Sequence, residues 1–206
     1  MGLAERLRIE TRPLHAAVER AGIMPALLRG ELNRTVYCRL LRNLLPIYRG
    51  LEGALRRNAA LPPLRPFAVP ILPRAAALAA DLYTLHGAGW ARELRPVSTT
   101  REYLRRLREI ERGQPALLAA HAYVRYLGDL SGGRILARIV GARFGLSGVE
   151  GRRFYDFGDA AAGDALAASL RRGLDLLTDE PLAAELVAEA KRSFRLHARL
   201  FEELAG

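Results

Sequence analysis

Residues 126–136 read YLGDLSGGRIL, and they place three glycines and one aspartate inside an otherwise strongly apolar helical segment. The simplest interpretation is a turn: Gly128 ends one helix, Asp129 or Ser131 caps the next, and the later glycine pair forms a loop. The spacing by itself favours this turn, so the remainder of the chain has to decide between it and an uninterrupted helix.

An uninterrupted helix gives the same residues a different meaning. At about 100° per residue, the glycines and the aspartate fall on one arc of roughly 140°. On that geometry Tyr123, Leu127 and Leu130 point away from the arc, towards a core. Each glycine costs about 1 kcal/mol relative to alanine in a helix, so three cost about 3 kcal/mol. A bare backbone face is then useful if a flat, rigid ligand lies against it.

The composition indicates a soluble globular protein. The chain has 206 residues, half of them hydrophobic, which is enough for a substantial core and most simply one domain covering residues 1–206. No apolar run approaches the roughly 18 residues that a membrane span needs, and residues 1–30 are too charged for a signal peptide. The single cysteine, Cys38, fits a small buried hydrophobe in a reducing compartment. We therefore expect a cytoplasmic protein without a membrane anchor.

The charge is strongly basic, with 32 lysines and arginines against 22 acids and a net charge of +10. Lys191 is the only lysine, which leaves 31 arginines. A basic surface attracts anions such as nucleic acid, an acidic protein or a carboxylate-bearing ligand. The charge alone does not choose among these partners.

The hydrophobic periodicity predicts an all-α protein, with no period-2 strands and no internal repeat. Pro13 is expected to kink the first helix or to mark a fresh helix start, and Pro46 is expected to kink the second helix. The proline-rich residues 61–73 form a connection. The predicted helices cover residues 3–28, 31–57, 75–85, 99–112, 115–144, 160–177 and 181–204.

Three of the four histidines have structural interpretations. His86 precedes a glycine at a helix end, where a cation suits the helix dipole. His197 is expected on a half-exposed face. His121 reads as a core histidine, and its 11-residue separation from Gly132 corresponds to roughly 16 Å along a helix. His121 therefore cannot bind a ligand that rests on the glycines.

The fourth histidine lies on a charged stripe of one helix, because its members are spaced four, three and four residues apart. The stripe consists of Arg8, Arg12, His15 and Glu19. It can be an ordinary solvated face with i, i+4 ion pairs. Equally, His15 can bind a metal while Glu19 fixes its tautomer, with the arginines meeting carboxylates of a ligand that has an iron centre. The spacing leaves both interpretations open.

Three segments resemble the haem oxygenase family. AHAYVRYLGDLSGGRIL at residues 120–136 is similar to its long and specific signature, and TRPLHAAVE at residues 11–19 to its proximal-histidine segment. EAKRSFRLHARLFEEL at residues 189–204 resembles the end of the domain. The resemblance extends in order over residues 3–204. It implies a multi-helix fold with haem held between a proximal N-terminal helix and a kinked, glycine-rich distal helix, and so it reverses the turn interpretation.

The resemblance also implies roles for individual residues. His15 falls at the iron-ligating position and Glu19 at the position of its hydrogen-bonding acid. Asp129 matches the aspartate that organises the distal waters, and Tyr48 and Arg125 match the surrounding network that acts in catalysis.

Further haem contacts follow from the same resemblance, and they are Tyr123, Gly128, Ser131, Gly132 and Gly133. Arg8 and Arg12 stand at basic positions near haem, and Arg171 matches an arginine that pairs with the propionates. One departure is Ala167, which stands where mammalian relatives have a further basic residue. The orientation of haem is therefore expected to depend on fewer anchors here.

The function implied by the resemblance is oxidative cleavage of haem b, which is both substrate and cofactor, to biliverdin, carbon monoxide and ferrous iron. The reaction uses O2 and an external electron donor, either a protein or a small reductant. The expected protein is a monomer with no nucleic-acid partner.

Three other functions compete with this one. A haem carrier or sensor can share the fold without turning haem over. A basic helical nucleic-acid binder would explain the charge but neither Asp129 nor the glycines. Thiaminase-like enzymes share the architecture, but their acidic and cysteine site residues have no convincing match here.

Overall fold

The computed structural model describes residues 1–206 as ten α-helices with no strands, which confirms the all-α prediction. Three short 3-10 segments and one π-helical turn, Tyr123–Leu127, complete the secondary structure. The α-helices are α1 (Leu3–Val18), α2 (Met24–Leu28), α3 (Arg34–Arg57), α4 (Ala75–His86), α5 (Trp90–Glu93), α6 (Ser98–Gly113), α7 (Leu118–Ala122), α8 (Gly128–Phe144), α9 (Ala160–Asp175) and α10 (Glu180–Ala205). None of them is both long and apolar enough to cross a bilayer.

The first predicted helix is wrong in its extent. The sequence predicts one helix over residues 3–28, whereas α1 ends at Val18 and α2 begins at Met24. Gly22 lies between them with φ +48°, a left-handed conformation that ends a right-handed helix. Pro13, by contrast, lies inside α1 without ending it. The turn also binds the C-terminal helix, because the Ile23 N–H donates to the Phe201 carbonyl at 3.2 Å.

Side-chain caps explain where three of the longer helices begin. Asn33 accepts from the Val36 N–H at 2.9 Å at the start of α3. Asp159 and Asp179 accept in the same way, at 2.8 Å and 3.0 Å, at the starts of α9 and α10. Each cap satisfies a backbone donor that the first helical turn leaves free.

The core is apolar, and the polar side-chain atoms buried within it are paired except for Arg134 Nη1 and His197 Nε2. Helix α1 packs along α10, while α3 packs on α4 and α6, with α7 between α3 and α10. His121 is fully buried; its Nδ1 lies 2.8 Å from the Tyr103 hydroxyl and its Nε2 lies 3.0 Å from Glu189. The prediction of a core histidine with satisfied hydrogen bonds is confirmed.

The segment that contains the glycines is one continuous helical path. Helix α7, the π-helical turn and α8 follow one another from Leu118 to Phe144 without a break, and Gly128 has helical angles of φ −62° and ψ −48°. The turn interpretation is therefore wrong. A π-helical turn is a recognised cause of a helix bend, and it lies immediately before the first of the three glycines.

The turn at Gly22 generates a stability prediction. A Cβ at Gly22 would lie 1.9 Å from the Phe201 carbonyl oxygen, whereas a Cβ at Gly145, which also has positive φ (+67°), meets nothing within 4 Å. Gly145→Ala should cost about 1–2 kcal/mol from backbone strain. Gly22→Ala should cost a further 1–3 kcal/mol, roughly, from the steric clash. Urea unfolding of both variants measures the difference, and equal losses would contradict the packing argument.

Candidate functional site

The main cleft lies between α1, the helical path through α8, and α10. It consists of two adjacent cavities that share part of their lining, including His15, Gly128 and Phe194. The first cavity, the arginine lobe, has a volume of about 630 Å³ and reaches Arg8, Arg12 and Arg171. The second, the apolar lobe, has a volume of about 380 Å³ and is lined mainly by apolar side chains of α2, α3, α8 and α10. Volumes of this size are typical of small-molecule sites.

His15 is placed so that one ring nitrogen is available to a ligand. Its side chain is 55% exposed, and Nδ1 lies 3.6 Å from Glu19 Oε1. The edge of the ring packs on Phe194, with centroids 5.9 Å apart. A carboxylate beside Nδ1 favours the tautomer that carries its proton there, which leaves the Nε2 lone pair for a metal. The structure thus brings His15 and Glu19 together on one wall of the cleft, as predicted.

The three glycines do different things. A Cβ at Gly128 or Gly132 would meet no atom within 4 Å, so both positions face open space in the cleft. A Cβ at Gly133 would lie 3.4 Å from Tyr155 Cδ1, so this glycine also lets Tyr155 pack closely on α8. Two glycines therefore make a bare surface in the cleft, and the third makes room for the side chain of Tyr155.

Two residues before the glycines face both the core and the cleft. Helical angles predict that Tyr123 and Leu127 point to the core, and the family resemblance predicts Tyr123 as a haem contact; both residues are buried in the core cluster and also line the arginine lobe beside Gly128. Leu130 is buried and does not line the cleft, as expected. The π-helical turn explains the additional contact with the cleft, because its i→i+5 hydrogen bonds put more residues in each turn than an α-helix has. Angles counted at the α-helical period are therefore wrong across that turn.

Asp129 is the acceptor of a buried hydrogen-bond network. It is 8% exposed. The Tyr48 hydroxyl donates to its Oδ2, and Arg125 Nη2 donates to its Oδ1 at 3.2 Å. Arg125 Nε also donates to the Tyr48 hydroxyl at 2.9 Å. Because the carboxylate binds side chains and caps no backbone N–H group, the structural-cap interpretation of Asp129 is wrong.

Electrostatics make this network a fixed set of donors and acceptors. Burial raises the pKa of Tyr48 well above its usual value, so its hydroxyl keeps its proton. Burial also raises the pKa of Asp129, against the opposing influence of the Arg125 charge and the Tyr48 hydrogen bond. Each carboxylate oxygen holds one protein donor and retains a lone pair. The network can therefore accept hydrogen bonds from water beside the bare glycines.

The arginine lobe contains acids as well as arginines. Arg8 lies 3.3 Å from Glu5, and both are more than half exposed. Asp175, at the end of α9, accepts from the Ala4 N–H at 2.8 Å and so anchors the start of α1. Ala167 is buried and does not line the lobe, so Arg171 is the only arginine that α9 contributes to it.

Comparison with known proteins places the chain. The family model described as "Heme oxygenase" matches residues 1–203. A haem oxygenase of Porphyra purpurea is 37% identical over 204 residues, which are 98% of this chain and 86% of that protein. The chain belongs to the haem oxygenase family.

Solved structures agree with this assignment. Haem oxygenase-2 of Synechocystis sp. PCC 6803, in complex with haem and NO, has a TM-score of 0.94 at 33% identity, covering 99% of this chain and 85% of that one. Haem oxygenase of Leptospira interrogans has a TM-score of 0.92 at 34% identity, covering 98% and 100% respectively. The haem oxygenase fold predicted from the sequence is therefore confirmed.

The cleft of this haem oxygenase family member suits haem. A flat macrocycle needs an open surface on one side, which Gly128 and Gly132 provide, and an iron ligand on the other, which His15 can supply. Propionates need cations, and Arg171 lines the arginine lobe.

Sequence reasoning missed the contribution of α10 to the cleft. Phe194 lines both lobes, and Phe201 lines the apolar lobe. His197 was expected on a half-exposed face but is 2% exposed, so that expectation is wrong. The signal was present in the sequence, because the three residues are spaced three and four apart and so share one helical face.

The bare face leads to a prediction that distinguishes an effect on haem binding from an effect on the free energy of unfolding. Gly132→Ala should raise the free energy of unfolding by up to about 1 kcal/mol, since alanine is the better helix former. It should also weaken haem binding about tenfold, through the roughly 1–3 kcal/mol that overpacking typically costs. Urea unfolding and absorbance titration with hemin measure the two effects.

Gly113→Ala is the matched control: a Cβ there also meets nothing, but α6 lies outside the cleft. Equal haem affinities in the two variants would contradict the assignment of the face.

Proposed function

We propose that this protein is a haem oxygenase that cleaves haem b to biliverdin, carbon monoxide and ferrous iron, using O2 and electrons from an external protein or small reductant. The observation that carries the proposal is the opposition, across one cleft, of the free imidazole of His15 and a bare helical face beside the buried Asp129 network. A haem-binding protein without turnover would need the imidazole and the open face, but it would have no use for that network.

The proposal also covers the domain organisation, the oligomeric state and the cellular location of the protein. Residues 1–206 form one domain, since α1 and α10, from opposite ends of the sequence, pack along each other. The protein works as a monomer, because one chain supplies both walls of the cleft. It works in the cytoplasm, in keeping with one free, buried thiol at Cys38.

When bound, haem supplies the iron at which O2 is reduced, and its own ring is the substrate. His15 would hold that iron through Nε2, and Glu19 would keep the imidazole proton on Nδ1. Phe194 supports the imidazole edge from α10. The role of this wall is to bind and to orient.

Arginines at the edge of the cleft set the orientation of the macrocycle. Arg171 pairs with a propionate from α9, while Arg8 and Arg12 add positive charge along α1. A guanidinium can bind a carboxylate through two parallel hydrogen bonds, which fixes direction as well as position. Because Ala167 offers no second cation, the orientation of haem depends more strongly on Arg171.

The bare face and the Asp129 network control the proton. Gly128 and Gly132 let the helix backbone approach the macrocycle and exclude bulk water from its face. Asp129 holds a water through a free carboxylate lone pair, and Tyr48 and Arg125 fix the carboxylate. A positioned water of this kind determines where a proton arrives, which is the usual task of a general-acid network.

The direct test is a turnover experiment. Purified protein is mixed with hemin under air, ascorbate is added, and the absorption spectrum is followed. An oxygenase loses the haem absorption and accumulates biliverdin, with release of carbon monoxide. A carrier or sensor keeps the haem spectrum unchanged, and that result would reject the enzymatic proposal.

His15→Ala tests the iron ligand. The variant should fold normally, lose the wild-type haem spectrum and form no biliverdin, because no other imidazole replaces it. Added imidazole should restore part of the activity by occupying the vacated position. His86→Ala is the control, since His86 pairs with Glu93 outside the cleft. Retention of the wild-type spectrum and activity by His15→Ala would contradict the assignment.

Arg171→Ala tests the orientation of haem. We expect haem affinity to fall by up to about fivefold, the range for an exposed charged contact, and the product to become a mixture of biliverdin isomers. Chromatographic separation of the isomers measures the second effect. Arg172→Ala changes the adjacent arginine, which does not line the cleft. An unchanged isomer pattern together with unchanged affinity in Arg171→Ala would count against this role.

Asp129→Ala tests the proton network. Haem should still bind through His15, but biliverdin formation should fall about 10²- to 10⁴-fold, the range for loss of general-acid catalysis. Oxidation of an added phenol by hydrogen peroxide should rise at the same time. Asp129→Asn should keep part of the activity, since an amide oxygen still accepts from water. Wild-type biliverdin formation by Asp129→Ala would reject the role.

A further inference from the structure

A second concave surface, separate from the haem cleft, lies between α3 and α6. Its volume is about 360 Å³, and its polar and backbone lining comes from Arg49, Gly50, Gly53 and Arg57 of α3 and from Arg108 and Glu111 of α6. We call it the α3–α6 groove. It shares no lining residue with either lobe of the haem cleft.

The α3–α6 groove and the haem cleft lie on opposite faces of α3. At about 100° per residue, Tyr48 and Leu44 point roughly 160° and 120° away from Gly50. Tyr48 belongs to the Asp129 network, and Leu44 lines the apolar lobe. A helix with its side chains is about 10 Å across, so a ligand in the α3–α6 groove does not compete with haem for space.

Two glycines of α3 shape the floor of the groove. A Cβ at Gly50 would lie 3.1 Å from Leu104 Cδ2, so α6 packs closely on the backbone of α3 at this point. A Cβ at Gly53 would lie 3.2 Å from Arg57 Nη1. The guanidinium of Arg57 therefore lies over the bare backbone of Gly53, inside the groove.

The charge of the groove is positive and only partly neutralised. Three arginines and one glutamate leave a net charge of +2. Arg57 and Glu111 form a bidentate pair, with Nε 2.7 Å from Oε1 and Nη2 3.0 Å from Oε2. Arg49 and Arg108 are exposed and form no ion pair or hydrogen bond with the rest of the chain. Two guanidinium groups, one from each helix, are thus available to a ligand.

The lining indicates the class of ligand. A planar guanidinium binds a phosphate through two parallel hydrogen bonds, and two such groups suit a ligand with two anionic centres. No aromatic side chain lines the groove, so a nucleobase would have no surface on which to stack. The chemistry therefore matches a compact phosphate polyanion better than a nucleotide or nucleic acid.

We propose that the α3–α6 groove is a binding site for a compact phosphate polyanion, held between Arg49 of α3 and Arg108 of α6. Glu111 opposes this ligand, because it adds a negative charge and occupies the guanidinium of Arg57. The site is independent of the haem oxygenase reaction, so it stands or falls separately from the proposed function.

The test uses pyrophosphate as the probe, titrated into the whole protein by calorimetry at low ionic strength. Arg49→Ala and Arg108→Ala should each lower the affinity by up to about fivefold, the range for exposed charged contacts. The double variant should lose roughly the product of the two factors. Urea unfolding should be unchanged, since both side chains are exposed. Wild-type affinity in the double variant, or no binding by the wild type, would overturn the inference.

Glu111→Gln tests the same site by a gain of binding. The change removes the opposing charge and releases Arg57, so the affinity for pyrophosphate should rise by up to about fivefold. A loss of folded protein cannot produce such a rise. Unchanged or weaker binding by Glu111→Gln would contradict the assigned arrangement of charges.

Two controls separate the groove from other cationic surfaces. Arg172→Ala removes an exposed arginine outside every cavity described above, and Arg171→Ala removes the α9 arginine of the haem cleft; neither should change the affinity. Pyrophosphate should shift the amide resonances of Gly50 and Gly53 in ¹H–¹⁵N spectra and leave those of Gly128 and Gly132 in place. Loss of binding in Arg171→Ala, or shifts confined to Gly128 and Gly132, would place the probe in the haem cleft and overturn the inference.

Discussion

The hydrogen bonds among Asp129, Tyr48 and Arg125 are the constraint on which the rest of the site depends. They join α3 to the helical path through α8, because Tyr48 comes from the first and the other two from the second. A buried carboxylate without partners would be strongly unfavourable. Here it has two side-chain donors, so α8 has to lie where both can reach it. The same bonds that stabilise the acid therefore place the bare glycine face opposite His15.

This constraint explains why a helix with three glycines holds its shape. Glycine weakens a helix through its conformational freedom, and the loss at Gly128 and Gly132 is not offset by any packing of their own. The network at Asp129 and the contact of Gly133 with Tyr155 hold the segment in place through side chains beside the bare face. A surface can thus be free of side chains and still be rigid, which a planar ligand requires.

The sequence predicts most of the fold because the helices are amphipathic, and periodicity reports burial directly. Prediction from the sequence fails where the structure depends on the backbone conformation of one residue or one turn. Gly22 redirects the chain between α1 and α2 through a positive φ that no pattern of hydrophobicity records. The π-helical turn brings Tyr123 and Leu127, which are core residues, to the edge of the cleft as well. Of the site, His15 with Glu19 could be found from spacing, but only as one of two alternatives. The pairing of Tyr48 with Asp129 joins residues 81 positions apart, and no local pattern specifies it.

The two ends of the chain also contact each other, and these contacts affect the site. Lys191 of α10 pairs with Glu10 of α1 at 2.7 Å, and the Ile23 N–H binds the Phe201 carbonyl at 3.2 Å. The helix that carries His15 is thus held by the helix that carries Phe194 and His197. Because α10 touches the imidazole on one side and lines the apolar lobe on the other, a displacement of α10 would change both walls of the cleft together. The separation of His15 from the Asp129 network therefore depends on the packing of the C-terminal helix as well as on the two walls themselves.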